Sequence, residues 1–196
     1  HPHQTNIRYM ADVNLIGTAN LIHILITEGF DSFISTGSAV EYGPSEYPMK
    51  ESALPNPTTM HGATKLGGTN LVQAFGKTVS PRQTVITLRP FHVYGPDEEP
   101  TRFIPTAIKA CLENKELLIN SLSEERDFVY VDDLVDAYLL AAQSTSKHTL
   151  FNIGTGKERS LGDVIDTLDK LCGKKTRVRE GAYSYRSWRS QCWKAN

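Results

Sequence analysis

The β-rich stretch Thr84-Val85-Ile86-Thr87-Leu88 decides the fold because a helix, a strand and another helix precede it. Working back along the chain, residues 61–78 have the length and apolar spacing of a helix. Residues 31–36 form a short apolar strand, and residues 7–28 repeat apolar side chains with helical period up to Gly29, a usual helix end. Helices that alternate with short strands are typical of a parallel sheet covered by helices. The sequence therefore predicts an α/β fold.

After Pro90 the elements become shorter. Strands are predicted at residues 117–119, 127–131 and 150–153, and helices at residues 102–114, from Asp132 or Asp133 to 143, and at 160–171. Either aspartate can cap its helix, and Ser160, with Asp163 three residues later, is typical of a capping box. This half of the chain is predicted to be a mixed α+β region.

Composition narrows the classes of function. The chain has 196 residues and a net charge of -1, so electrostatics give no reason to expect nucleic acid or an anionic membrane as a partner. No apolar run is expected to approach the roughly 18 residues that span a bilayer, and residues 1–4 do not begin a signal peptide. Three widely spaced cysteines suit reduced thiols in a cytoplasm, and no metal site is predicted.

One helix start carries a pattern suited to chemistry, Thr58-Thr59-Met60-His61-Gly62-Ala63-Thr64-Lys65. His61 and Lys65 are four residues apart, so their side chains lie on one face of a helix. A lysine cation lowers the pKa of a nearby acid and can reach a cofactor ribose, and histidine exchanges protons near neutral pH. Taken alone, such a pair is more often solvated or part of a helix cap.

Separate segments, in order along the chain, resemble the motifs of one family. They are Asn14-Leu15-Ile16-Gly17-Thr18, residues 33–43 ending in Tyr42-Gly43, His61 to Lys65 with the spacing of Tyr-x-x-x-Lys, residues 88–96, Arg126-Asp127-Phe128-Val129-Tyr130-Val131-Asp132-Asp133, and residues 151–156. Together they resemble the extended short-chain dehydrogenase/reductases, which include the NAD-dependent nucleotide-sugar epimerases and dehydratases. The eight residues from Arg126 are the most specific match. The resemblance implies a Rossmann-like parallel sheet.

The resemblance implies catalytic roles for four residues. Ser38 matches the hydroxyl that polarises the reacting oxygen, and Lys65 matches the lysine that tunes the proton-transferring group. His61 stands where the family has tyrosine, and Asn14 matches the asparagine that supports the proton relay. From the residues alone, Ser38 is equally a turn-forming serine and Asn14 a helix asparagine bonded to neighbouring backbone.

The resemblance also implies binding residues. Thr36, Lys65 and the backbone of Pro90 and Phe91 would face NAD, with NADP not excluded. Ser38, His92, Arg126 and Arg186 would hold a nucleotide-diphosphate sugar. His92 replaces the usual asparagine, and the planar guanidinium of Arg126 suits a diphosphate. The alternative for Arg126 is a surface pair with a neighbouring aspartate.

These implications define the expected protein. Residues 1–90 would be the remaining part of a dinucleotide-binding domain, and residues 91–196 mostly a small α+β substrate-binding lobe with segments that return to the core. No glycine-rich phosphate loop follows a strand in this sequence, so we expect either a longer polypeptide or missing strands that are supplied by disordered sequence or a partner chain. An epimerase is favoured over a 4,6-dehydratase because Ala39 and Val40 are apolar. The alternative is a non-catalytic nucleotide-sugar-binding relative or scaffold. A homodimer through residues 61–78 is also expected.

Overall fold

The computed structural model describes residues 6–145, 150–181 and 192–196. Its helices are α1 Ile7–Ala11, α2 Gly17–Glu28, α3 Met60–Gly76, α4 Phe103–Glu113, α5 Val131–Gln143 and α6 Leu161–Cys172. Its strands are β1 Ser32–Thr36, β2 Thr84–Pro90, β3 His92–Tyr94, β4 Glu116–Leu118, β5 Glu125–Tyr130, β6 Leu150–Ile153, β7 Glu158–Ser160 and β8 Arg177–Arg179.

The central sheet confirms the predicted α/β fold. Its strands are parallel and run in the order β1-β2-β6, with Ser32 opposite Thr84 and Thr87 opposite Leu150. β2 lies in the middle, and five consecutive residues of its seven are buried. Such continuous burial is expected for a parallel strand that is covered on both faces. The alternation along β2 sends Val85 into a cluster with α3 and the next residue, Ile86, into a cluster with α5.

Two smaller sheets make up most of the region after Pro90. β3 pairs in parallel with β5, which pairs antiparallel with β7, and β4 pairs in parallel with β8. Helices α4 and α6 pack over a core in which Ala107, Leu117 and Ile165 are buried. β6 pairs with β2, so a strand from the second half completes the central sheet. The division of the chain at residue 90 stays a prediction.

The long first helix differs from the expected uninterrupted one. A π-helical turn, Asp12–Ile16, separates α1 from α2. At this turn the backbone of helix α3 comes close, because Gly68 has no side chain: a Cβ there would lie 2.4 Å from the carbonyl oxygen of Asn14. Gly68 therefore permits the contact that brings the asparagine against α3.

The start of α5 also differs from the prediction. Its N-cap residue is Tyr130, which makes no side-chain capping bond, and Asp132 and Asp133 lie in the first turn. Neither aspartate is the cap, although carboxylates in a first turn still interact favourably with the helix dipole. The capping box at Ser160 and Asp163 is confirmed, since each side chain bonds the backbone N–H of the other residue.

Among the described residues, one helix is long and apolar enough to cross a membrane by length and composition. It is Ile7–Glu28, with 22 residues, and very little of it is buried. The expectation that no apolar run approaches a span was therefore wrong, because enough isoleucine and leucine surround polar residues such as Asn14 and Asn20. A core helix of a soluble protein or a signal sequence near an N-terminus can have the same length and composition.

Candidate functional site

The carboxyl end of β1 borders a cavity of about 300 Å³ that brings together three predicted site residues. Asn14 from the π-helical turn, Thr36 from β1 and Lys65 from α3 all line it. Ligands of open α/β sheets usually bind at this edge, where parallel strands end. A second cavity, of about 360 Å³, lies against α4 between Gly95 and Glu113 and is lined by none of the predicted site residues.

Lys65 holds its ammonium group at the end of β1. Its Nζ donates to the carbonyl oxygen of Thr36 over 2.6 Å. Burial lowers the pKa of Lys65, and the negative charge of Glu41 opposes that shift. Thr36 is also tied to the opposite face of the sheet, because its hydroxyl shares a hydrogen bond with the hydroxyl of Tyr138 on α5. The strand end is thus fixed from both faces.

Asn14 reaches across to the helix that carries His61. Its Nδ2 donates to Thr64 Oγ1 over 3.0 Å, and Thr64 Oγ1 in turn donates to the carbonyl oxygen of His61 over 3.1 Å. The local interpretation, an asparagine side chain bonded to neighbouring backbone, does not describe this amide. The chain of two bonds links the π-helical turn to the residue at the tyrosine position.

His61 is the second residue of α3 and lies just after the helix cap. Thr59 caps the helix by accepting a hydrogen bond from the Gly62 N–H over 3.0 Å. Burial lowers the pKa of His61, and the cations Lys65 and Arg102 lower it further. The imidazole is therefore neutral at pH 7 and able to accept a proton. The influence of Arg102, at the start of α4, was not predicted from the sequence.

Ser38 sits in a capped turn directly after β1. It is the N-cap of the 3₁₀ helix Ala39–Glu41, and its Oγ accepts a hydrogen bond from the Val40 N–H over 3.4 Å. Since the oxygen is the acceptor here, that bond does not use the hydroxyl hydrogen. The turn-forming role allowed by the sequence is present, and it is compatible with donation to a ligand.

A buried ion pair that the sequence did not reveal supports the Ser38 turn. Arg89 Nε donates to Glu41 Oε2 over 2.8 Å, and the two side chains are 3% and 0% exposed. Glu41 Oε1 also accepts from the Ser38 N–H over 2.8 Å and from Thr69 Oγ1 over 2.9 Å. A Cβ on Gly37 would lie 2.8 Å from the same oxygen, so only glycine fits beside it. The only signal in the sequence was two charged residues within otherwise apolar motifs.

The end of β2 is held by pairing with β6 and by burial of the Phe91 ring. Pro90 lies opposite Ile153, and the Phe91 N–H donates to the Ile153 carbonyl over 3.0 Å. The Phe91 ring is 8% exposed and packs in a core cluster that contains Tyr42 and Trp193. The ring belongs to the core, which leaves the backbone as the part of this segment that can face a cofactor.

His92 begins β3 inside an aromatic setting. The centroid of its ring lies 5.8 Å from that of Trp193, edge to face at 87°, and 6.1 Å from that of Phe128. Burial holds the pKa of His92 well below its usual range, and the cations Arg126 and Arg102 add to the effect. Its Nδ1 is buried and has no hydrogen-bond partner within the described part of the chain. The ring is therefore neutral and keeps one unused polar atom.

Arg126 on β5 lies between acidic and aromatic neighbours. Its guanidinium forms an ion pair with Glu124, and its Nη1 donates to the carbonyl oxygen of Glu125 over 2.6 Å. The guanidinium carbon lies 6.0 Å from the centroid of the Trp193 ring. Trp193 and Glu124 were not predicted as site residues. Arg186 lies outside the described residues.

Asp127, the residue after Arg126, has a structural role that accounts for its carboxylate. It is fully buried and accepts hydrogen bonds from the backbone N–H groups of Thr155, Gly156 and Ala195 over 2.7, 3.0 and 3.1 Å. The surface Arg–Asp pair that the sequence allowed is therefore wrong. Asp127 instead fastens the turn after β6 and the end of the chain to β5, which places Trp193 beside His92 and Arg126.

The described ranges contain no cluster of three or more histidine, cysteine, aspartate or glutamate side chains placed to hold a metal ion. The side chains that could bind a ligand are therefore those of lysine, histidine, serine, asparagine and arginine, and they lie at the edges of two pairs of parallel strands.

Residues 2–154 match the model of the NAD dependent epimerase/dehydratase family. The chain belongs to this family.

Several relatives of known name are similar to the chain. It is 30% identical over 171 residues to a putative UDP-glucose 4-epimerase of Methanocaldococcus jannaschii, which covers 84% of this chain and 55% of the relative. It is 28% identical to a GDP-6-deoxy-D-mannose reductase of Pseudomonas aeruginosa, over 80% of this chain and 54% of the relative. The chain thus spans about half the length of these two epimerase/dehydratase relatives.

Solved structures of the family have the same fold. MoeE5 in complex with UDP-glucuronic acid and NAD superposes with a TM-score of 0.84 and 29% identity, covering 93% of this chain and 61% of MoeE5. UDP-glucuronic acid 4-epimerase from Bacillus cereus, in complex with UDP-glucuronic acid and NAD, superposes with a TM-score of 0.83 and 28% identity, covering 93% and 58%.

Proposed function

We propose that this chain is part of an NAD-dependent nucleotide-sugar epimerase that acts by transient oxidation of a sugar carbon, with His61 in place of the usual tyrosine. The observation that carries the proposal is the meeting of Asn14, Thr36 and Lys65 on one cavity at the carboxyl edge of the central sheet. The family that the chain belongs to supports the reaction class. Because the chain spans 55% of the length of the UDP-glucose 4-epimerase relative, the activity proposed is that of the whole protein.

The residues at the end of β1 fit the nicotinamide side of an NAD molecule. Lys65 already points its ammonium at a carbonyl oxygen, that of Thr36, and a ribose hydroxyl is an acceptor of the same kind. The bound NAD would supply the hydride acceptor. Lys65 and Thr36 would hold its ribose, and the backbone at Pro90 and Phe91 would border the ring. Both solved relatives described above contain NAD.

His61 would serve as the base that takes a proton from the sugar hydroxyl. Its lowered pKa keeps the imidazole neutral, which is the form that accepts a proton, and makes the protonated form quick to return it. Asn14 would steady this residue through Thr64, and Ser38 would donate its hydroxyl hydrogen to the reacting oxygen.

The substrate would be a nucleotide-diphosphate sugar held by Arg126, His92, Ser38 and Arg186. His92 supports this role because its buried Nδ1 has no partner among the described residues, so a ligand hydroxyl can bond it. Epimerisation is favoured over dehydration because Ala39 is 3% exposed and apolar and thus offers no acid or base for loss of water. Relatives that act on UDP-sugars favour a uracil nucleotide.

A second candidate is a relative that binds nucleotide-sugar without turning it over. The histidine at the tyrosine position favours it, because an imidazole is shorter in reach than a phenol. The experiment is a titration with NADH followed by nicotinamide fluorescence, together with turnover of UDP-glucose by the native chain and by His61→Tyr. His23→Tyr makes the same replacement at an exposed position on α2 and is the matched control.

The enzyme proposal expects micromolar NADH binding and turnover of UDP-glucose by the native chain, with a further rise for His61→Tyr because a phenol reaches farther than an imidazole. His23→Tyr should change nothing. NADH binding without turnover of UDP-glucose by the native chain would favour the non-catalytic candidate. Absence of binding at millimolar NADH would remove the roles given to His61 and Lys65 in this chain.

A homodimer is proposed as well, with its contact moved toward the first helix. Val13, Ile16 and Ile24 are 52%, 50% and 53% exposed, which is a large apolar exposure for one helix. Helix α3, predicted from sequence as the dimer contact, packs beside it. Sedimentation that shows only monomer at micromolar concentration would count against this proposal.

A further inference from the structure

The cation that the proposed function assigns to the diphosphate is already engaged within the chain. The Arg126 guanidinium is paired with the Glu124 carboxylate, and the two side chains are only 18% and 15% exposed. Its Nη1 is bonded at the same time to the Glu125 carbonyl oxygen over 2.6 Å. An incoming phosphate therefore meets a guanidinium whose edge is occupied by a carboxylate.

The indole of Trp193 narrows the approach to this guanidinium. Its ring centroid lies 6.0 Å from the guanidinium carbon, and the Trp193 backbone N–H donates to Glu158 Oε1 over 2.6 Å. Anions bond a guanidinium at its edge, in the plane of its N–H groups, and not through its face. A phosphate must therefore compete for the edge at which Glu124 lies.

The surroundings make this competition matter. At a fully exposed site water screens an ion pair, and exchanging one anion for another changes little. Glu124 and Arg126 are mostly buried, so their attraction is stronger, and a carboxylate left beside an incoming phosphate repels it. The neutral ring of His92 neighbours Arg126 and contributes no positive charge that would offset the repulsion.

We propose that Glu124 is an intramolecular competitor for Arg126, so that a nucleoside diphosphate binds only as Glu124 releases the guanidinium. The proposal rests on the proposed function, because it assumes that Arg126 receives a diphosphate. It assigns Glu124 the role of a residue that sets the affinity of this site for anions. Glu124 weakens the binding of every anion at Arg126, and only ligands with enough negative charge or further contacts displace it.

The test is the affinity of the full chain for UDP, GDP and dTDP by isothermal titration calorimetry. Glu124→Gln keeps the size of the side chain and removes its charge. Glu125→Gln removes the same charge from the adjacent, exposed side chain and is the matched control. Arg126→Gln and the double variant complete a cycle that isolates the part of the effect that passes through Arg126.

The expected result is binding about tenfold tighter for Glu124→Gln, because the diphosphate no longer has to displace a carboxylate from Arg126, and no more than a twofold change for Glu125→Gln. In the Arg126→Gln background the gain from Glu124→Gln should fall to less than about twofold. Melting curves of the variants show whether each is folded.

Different outcomes separate this inference from the proposed function. Equal affinities of the native chain and Glu124→Gln, with binding lost in Arg126→Gln, would overturn the inference and leave the diphosphate site standing. Unchanged affinity in Arg126→Gln would overturn both, because the diphosphate would then bind elsewhere. If the native chain fails to bind the three nucleotides and Glu124→Gln binds one, the competitor role is supported; if neither binds, it is overturned.

Discussion

The molecule contains two glutamate–arginine pairs that are chemically alike and differently placed. Glu41 and Arg89 lie in the core below the Ser38 turn and are 0% and 3% exposed. Glu124 lies just before β5 and is 15% exposed, and Arg126 lies on β5 and is 18% exposed. The first carboxylate bonds the backbone and side chains around Ser38, whereas the second lies at the edge of the cation that the proposed substrate needs.

The difference shows how surroundings decide what an ion pair does. A pair without access to water costs several kcal/mol to desolvate and holds only if its other polar atoms are bonded, as Glu41 is by Ser38 and Thr69. Such a pair fixes geometry and cannot exchange partners. A pair at the border of solvent has an alternative, because water or a ligand can replace either member. We therefore assign the first pair to positioning and the second to binding.

The largest expected effect comes from breaking the buried pair. Glu41→Ala leaves the Arg89 cation in the core with no compensating charge, so the free energy of unfolding should fall by about 3–5 kcal/mol. Urea denaturation followed by circular dichroism measures it. Glu46→Ala removes a carboxylate from an exposed position in the following loop and should change stability by less than about 0.5 kcal/mol. A loss under about 1 kcal/mol for Glu41→Ala would erase the contrast between the two pairs.

An intermediate effect is expected from pH, through the neutral ring next to the second pair. The pKa of His92 is lowered by burial in the folded state, whereas in the unfolded chain it returns to about 6.5. His92 therefore contributes stability above pH 6.5, and this contribution is lost as the pH falls toward the folded pKa. The loss is up to about 1.4 kcal/mol for each pH unit within that window.

His92→Asn removes the titrating ring and should flatten the fall in stability between pH 7 and pH 5. The measurement is urea denaturation at several pH values for the native chain and the variant. His23→Asn, at an exposed position, is the control and should leave the slope unchanged. Identical slopes for the native chain and His92→Asn would show that the second pair does not border a desolvated histidine.

The sequence revealed the features that depend on neighbours in the chain. The alternation of helices and strands predicted the parallel sheet, and Ser160 with Asp163 predicted a helix start, because period and capping act over a few residues. The π-helical turn was missed because no local pattern in residues 12–16 distinguishes it from an α-helix, and Gly68, which lies against it, belongs to another helix. The three-residue strands β3, β7 and β8 were missed since pairing partners, more than local preference, define them.

The candidate site divides in the same way. The shared face of His61 and Lys65 follows from the period of one helix, so the sequence alone predicts it. Glu41 and Arg89 are 48 positions apart, and no local pattern says that they meet. Glu124 is only two residues from Arg126 in sequence. Its proposed competition for Arg126, however, depends on the burial of both side chains and on the position of Trp193, which is distant in sequence.

The smallest expected effect tests the second pair for stability instead of binding. Arg126→Gln should lower the free energy of unfolding by about 1 kcal/mol, because the glutamine amide still offers Glu124 a hydrogen-bond donor and the carboxylate is not fully buried. Arg82→Gln, at an exposed position before β2, gives the background value for losing an arginine. A loss of several kcal/mol for Arg126→Gln would place this pair with Glu41 and Arg89 as a structural element. Glu124 would then bind Arg126 too tightly for a phosphate to displace it, and both pairs would have the same structural role.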